Sequence, residues 1–437
     1  MEARASRLFM ANIRRQGPYG HVFDPSLTST PITKLRWILM RTIMVTRPSE
    51  LERAIVVDYL DHIPGLKACA LVCSRFCYWA QSRLFRKIGT GYETLPGSPP
   101  EPSRCMRRVH RLLAILENSP HIISHIRTLR IHESSPTLID LLASRQWNTL
   151  RTLHICGLQL DDYESALGGL QRLVSSPRLN ILEFECSQWN PELFWNVMAH
   201  CSASVSQLIL INCCTRMPLQ YPRLLLQAVK TPARITTLTL RGAGNALPVL
   251  LDPLFPLDLT HLSAIDYYNS PNKLLEPFLA RHRSIRSFKI HVVDSTVQNL
   301  PLSLPSITHL EFQFTLTAFC EWGPLMNLPL HNSVEKLTLT TFHNLWQDNS
   351  WFRAQNQIAG YLDALVAPGK KLAGIRMVVV EVSRQPRTVD FSRAAVVKAM
   401  ESSMPILANS GRLSVVFEDA EYVHPWKEDD IDLRQIG

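Results

Sequence analysis

The sequence has no CxxC pair among its ten cysteines and no Asn-x-Ser/Thr sequon in 437 residues. A secreted scaffold stapled by disulfides is therefore not expected, and a reducing compartment, cytoplasm and/or nucleus, is. Nowhere do ~18 consecutive apolar residues occur, so no membrane-spanning helix is expected. No compact apolar core follows the first arginines, as a secretory signal would require. Acidic residues are scarce at the start. Residues 1–47 hold eight Lys/Arg against Glu2 and Asp24, which is +6 of the net +9, and the other 390 residues share +3. That division leaves no general basic field on the body, so neither a nucleic-acid nor a membrane partner is expected. Catalytic signatures are missing as well: there is no GxSxG, no HExxH and no DFG-type set. Gly89-Thr-Gly91 lacks the Lys-Ser/Thr ending of a phosphate loop and runs into a Pro-rich stretch. The fifteen histidines never pair with acids at ligand spacing. No catalytic residue, cofactor or metal is expected, and the chain reads as a non-enzyme.

What is present begins with a 46 % apolar composition, which is globular. Residues 1–45 scatter Pro, Gly, Ser and Thr among arginines and read as a basic, disordered tail, although an Arg-rich, acid-poor start also suits a mitochondrial presequence. Residues 46–88 are dense in helical apolar spacing. Residues 89–104, GTGYETLPGSPPEPSR, read as a Pro/Gly linker. From 105 to about 420 the chain repeats one unit, and 421–437 read as a C-terminal tail.

The unit is an apolar residue, two variable residues, an apolar residue, one variable residue and a third apolar residue. It occurs at Ile126–Leu129–Ile131, Leu150–Leu153–Ile155, Leu179–Leu182–Phe184, Val205–Leu208–Leu210 and Ile235–Leu238–Leu240. It continues at Leu259–Leu262 with Ala264 as a weak third position, Ile285–Phe288–Ile290, Ile307–Leu310–Phe312 and Val334–Leu337–Leu339. A later copy is placed at Leu372–Ile375–Met377, and a fragment at Leu413–Val415. From Leu129 to Leu337 the central positions lie 24, 29, 26, 30, 24, 26, 22 and 27 residues apart. The last two apolar positions share one face of a short strand. A lone strand cannot bury that face, so parallel neighbours must stack beside it. Helical spacing fills the intervals, as in residues 106–118, at Pro191 and in residues 163–175 and 271–282.

This pattern resembles leucine-rich repeats, in divergent form. The Asn or Cys that such repeats carry three residues after the last apolar position is met only at Cys213; Ser134, Leu158, Ser187, Ala243 and Tyr267 stand there elsewhere.

Within residues 48–88, Pro48, Ser49 and Glu50 form a helix start. Leu51, Ala54, Ile55 and Tyr59 mark a first helix ending near Pro64-Gly65. A second is expected from Leu66 to Trp79, with Cys69, Cys73 and Cys77 on one side, and a third element ends at Leu84-Phe85-Arg86. The three cysteines would span about 12 Å along a helix, too far for one zinc, so they read as core. This string resembles the F-box, in the form common in large fungal families. The matching residues are Pro48 with Glu50-Leu51, Ile55, Tyr59-Leu60, Leu66-Lys67-Ala68-Cys69, Leu71-Val72-Cys73 and Leu84-Phe85-Arg86. Arg47 departs from the leucine usual before the proline, and Phe76 and Phe85 stand where many members have Trp. The resemblance implies that this module docks the Skp adaptor of a cullin–RING ubiquitin ligase, through Pro48, Leu51, Ile55, Leu60, Leu66 and Val72. It further implies that the repeats hold a protein substrate. In the insert 340–352, Trp346 and Trp351 read either as a plug over the core or as substrate contacts; Trp189 and Trp195 read as core. The expected fold is α/β: a small helical F-box-like module followed by an irregular leucine-rich-repeat-like solenoid of parallel strands and helices. The other reading keeps the solenoid but makes the helical module only its N-terminal cap.

Overall fold

The computed structural model describes residues 56, 63–71, 73–90, 102–132, 136–158, 164–189, 191–215, 231–268, 273–292, 306–314, 332–342, 359–383 and 393–418. The chain divides into two compact units, Met1–Ala80 and Gln81–Gly437. Among the described residues, no helix is long and apolar enough to cross a membrane.

In the second unit the apolar units become strands. These are β1 (Lys87–Gly89), β2 (Thr128–Ile131), β3 (Thr152–Cys156), β4 (Ile181–Glu185), β5 (Gln188–Trp189), β6 (Gln207–Ile211) and β7 (Cys214–Thr215). They continue with β8 (Thr237–Arg241), β9 (Ala264–Tyr268), β10 (Ser287–Val292), β11 (His309–Phe314), β12 (Lys336–Phe342), β13 (Met377–Ser383) and β14 (Leu413–Glu418). Twelve of them form one sheet in chain order, every described pair parallel, while β5 and β7 pair separately. Parallel neighbours require crossovers, and helices such as Pro102–Asn118, Glu164–Val174 and Pro191–Ala199 supply them.

Register aligns the units. Leu129 lies beside Leu153, Leu153 beside Leu182, and Leu182 beside Leu208; one residue pair on, Ile131, Ile155, Phe184 and Leu210 match likewise. These side chains are fully or almost fully buried. Each contributes about 1.5–3 kcal/mol of burial, which no strand could gain alone.

The register also corrects three sequence assignments. β9 pairs Ile265 with Leu238 and Tyr267 with Leu240. The unit there is Leu262–Ile265–Tyr267, three residues later than Leu259–Leu262–Ala264. Tyr267 is thus a buried core residue, not the side chain at the Asn/Cys position. Likewise β13 pairs Val378 with Leu337 and Val380 with Leu339, so the unit is Ile375–Val378–Val380 rather than Leu372–Ile375–Met377. In both places a buried leucine of the preceding turn, Leu259 or Leu372, mimics the first position. Finally, β1 pairs Ile88 with Leu129. The sheet therefore begins at Phe85–Ile88–Thr90, residues read as the close of the helical module and the start of the linker. The helix at Pro102–Asn118 likewise opens inside the expected linker.

The turns after β3, β4, β6 and β8 are built alike. Gly157, Cys186, Asn212 and Gly242 each have positive φ, and each donates its N–H to the last residue of the next strand, extending the ladder by one bond. At Cys213 the side chain plays the repeat's expected part: its thiol donates to Phe184 O at 3.3 Å and Ile211 O at 3.4 Å. Ser187 makes a comparable bond to Glu185 O at 3.1 Å.

In the first unit and at its boundary, the expected single helix from Leu66 to Trp79 is two helices, Ile63–Ala70 and Ser74–Leu84. Cys69 is buried, Cys77 half-buried and Cys73 exposed, so the core reading holds for Cys69 and fails for Cys73. One helix ends at Ala70 and the next starts at Ser74, so Cys69 and Cys77 do not share a helical face. Trp195 is buried, as expected.

Candidate functional site

Alternation along a strand sends every second side chain to the face opposite the apolar one. On the large sheet those positions carry charge. Arg130, His154 and Glu183 stand in register on β2, β3 and β4, and Asp266, Lys289 and Glu311 on β9, β10 and β11. One step along lie Cys156, Glu185, Arg241, His291 and Glu381. The polar residues form two groups separated by the half-buried Ile209 and Ile211 of β6.

In the first group His154 Nε2 is 3.0 Å from Glu185 and 3.9 Å from Glu183, and Arg130 is 3.4 Å from Glu185. The bond from His154, with the charges of His154 and Arg130, holds Glu185 down to about 2. Burial pushes Glu183 up. Burial, helped by the Arg130 charge, pushes His132 down to about 3. A cysteine, a histidine and two acids on one face resemble the parts of a nucleophilic site. Cys156 does not fit that role: burial and the Glu185 charge push its thiol up to about 12, so it stays protonated at neutral pH.

In the second group Asp266 accepts from Arg241 at 2.8 Å and pairs with His291 at 2.7 Å, and the Tyr268 ring stands against His291 with centroids 4.8 Å apart. Burial alone would raise Asp266, but the His291 bond and the Arg241 charge hold it below the usual carboxylate range. Lys289 pairs with Glu311, and Thr340 donates to Glu381 at 2.9 Å. Among the described residues, no group of three or more His, Cys, Asp and Glu is arranged to hold a metal ion. These charges satisfy one another across strands. His154, Glu183, Arg130 and His291 are buried, and the more open members of the face are Arg241 and Lys289.

Of the residues expected to meet an adaptor, Leu66 is 3 % exposed. Pro48, Leu51, Ile55, Leu60 and Val72 lie outside the described residues, as do Trp346 and Trp351. Two large apolar side chains of the same unit are open to solvent: Leu71, one of the residues that match the F-box pattern, at 68 %, and Tyr78, which the sequence reading did not single out, at 51 %. The charged face was also missed. Its signal was the variable residue between the last two apolar positions of each unit, which is charged or His at 130, 154, 183, 266, 289 and 311. No family model matches this chain, and no curated protein does either.

Proposed function

We propose that the chain is the substrate-recognition adaptor of a Skp–cullin–F-box ubiquitin ligase, with a leucine-rich-repeat-like second domain, acting in the cytoplasm and/or nucleus. The observation that carries this reading is a succession: F-box-like residues in order over 48–86, then a sheet of parallel strands with one strand per apolar unit. Pro48, Leu51, Ile55, Leu60, Leu66 and Val72 would serve the helical module, some as partner contacts and some as interior. The burial of Leu66 suits an interior role, and the exposed Leu71 and Tyr78 supply apolar surface of the kind partners cover. Trp346 and Trp351 are proposed for the substrate side. The chemistry belongs to the partners. Tethering a substrate near a charged ubiquitin carrier raises its effective concentration, and this is the mechanism.

A second reading has its own support. The segment's last two residues, Lys87 and Ile88, lie in the first strand of the sheet, as they would if the helices only capped the repeats. The two readings separate on capture of the full-length chain by purified Skp adaptor. The ligase reading expects capture by wild type and about tenfold or greater loss in Leu51→Asp and in Ile55→Asp, with unchanged circular dichroism. Failure of the wild-type chain to bind leaves the capped scaffold.

A further inference from the structure

The residues just before the strands of the large sheet form a row: from Arg127 to Arg376 each donates its N–H to the carbonyl of the residue before the preceding strand, while Arg412, before β14, donates to Leu407 at 3.0 Å instead. Arg127 bonds Arg86 at 2.9 Å, Arg151 bonds Arg127 at 2.7 Å, and Arg376 bonds Glu335 at 2.8 Å. Six of the twelve residues in this row are arginine: Arg86, Arg127, Arg151, Arg286, Arg376 and Arg412. One, Glu335, is acidic. Arg178, three residues before β4, and Arg283, four before β10, add to it. Arg86, Arg151, Arg178, Arg283 and Arg286 are exposed, and none forms an ion pair among the described residues. Arg286 is instead steadied by the carbonyls of Ser306 at 3.0 Å and Arg283 at 3.4 Å. At the β10–β13 end the edge is indented by an open cleft of about 1050 Å³, lined by Arg283, Arg286, Thr308, Asn332, Glu335 and Arg376. A body whose net charge is small therefore still carries a row of arginines along one edge.

We infer that this edge docks an acidic polypeptide segment with its negative charge in two blocks. Guanidinium groups fork onto carboxylates, and a linear row of them suits a linear partner. The alternative polyanion, a nucleic acid, fits less well on two counts. None of the twelve row residues is aromatic, so the row lacks the aromatic platforms on which successive bases stack. The charge is also interrupted. Between Arg178 and Arg283 the row carries Asn180, Ser206, Thr236 and Ser263, and Arg234 nearby is offset by Asp258 at 3.9 Å. A phosphodiester chain, evenly charged, would lie across that neutral stretch, whereas a polypeptide can skip it. The gap spans four strand steps, about 19 Å, which an extended peptide covers in about six residues. The inference holds whether or not the helical module binds an adaptor.

The test uses the full chain and a fluorescent peptide of two tetraglutamate blocks joined by about six Gly/Ser residues, at low salt. The edge variant replaces Arg151, Arg178, Arg283 and Arg286 by Gln. A control replaces Arg107, Arg108, Arg111 and Lys398, which lie on helices, and both are checked for an unchanged melting temperature. The expected result is about tenfold weaker binding by the edge variant, near-wild-type binding by the control, and weaker binding of a peptide with its blocks adjoining. An edge variant that binds as wild type does would overturn the inference and point to the basic residues 1–47. A single-stranded oligonucleotide of equal charge that binds more tightly than the peptide would overturn it in favour of nucleic acid.

Discussion

The two ends of the large sheet are finished differently. At the β1–β3 end, the inward residues Ile88, Leu129, Ile131, Leu153 and Ile155 are all essentially sealed from water. At the β14 end Leu413 and Val415, in the same register, are only half-buried, Val416 is 40 % exposed and Met377 on β13 is 45 % exposed. The units are near copies. Among the described residues β1 and β14 each have a strand partner on one side only, so the difference lies in what else covers the inward face at each end. Stability should therefore be graded along the array.

The largest effect tests that grading in the interior. Phe288→Ala removes a fully buried ring between β9 and β11 and should cost about 3–5 kcal/mol in urea denaturation. Val415→Ala, at the next inward position in β14 and only half-buried, should cost about 1 kcal/mol or less. Equal costs would mean that β14 is as well packed as the centre. Next, Asp363 is buried and accepts the N–H groups of Ile406 at 2.9 Å and Leu407 at 2.8 Å. Asp363→Ala should cost about 2 kcal/mol by orphaning two donors beside the last strand. A smaller contrast separates two glycines. Gly242 has φ +60 and an added Cβ would meet Asn212 Oδ1 at 2.3 Å, whereas Gly411 has φ +66 with nothing nearby. Gly242→Ala should therefore exceed the ~1 kcal/mol left-handed strain expected for Gly411→Ala.

A last contrast is in pH. His132 titrates at about 3 in the fold against 6.5 when unfolded, and Glu185 at about 2 against 4.5. In both cases the unfolded chain binds more protons in the window between the two values, so stability present at neutral pH falls as pH drops through it. The β1–β4 end should loosen first on mild acidification. His132→Gln should flatten the part of that loss lying between about pH 6.5 and 3, read by thermal melts across pH.

These contrasts also mark what the sequence could tell. The central units were legible because Leu129, Leu153, Leu182, Leu208 and Leu238 sit in short runs with apolar partners at fixed offsets. The ends were not. β1 ends its unit in Thr90, and β9 and β13 each follow a turn leucine that copies the pattern three residues early. The charged face was half legible, since its residues occupy the variable position, but which charge meets which depends on register. The arginine edge was illegible: Arg86, Arg127 and Arg151 are 41 and 24 residues apart and meet only through parallel pairing. Net charge hid it as well, because a sum over the body says nothing of where the charges lie.

The most direct test of the adaptor account is lysine cross-linking of the full-length chain with purified Skp adaptor, mapped by mass spectrometry. The account predicts cross-links to Lys67, exposed on helix Ile63–Ala70. Cross-links confined to Lys289, Lys336, Lys370 or Lys398 on the repeats, or none above a non-binding control, would contradict it.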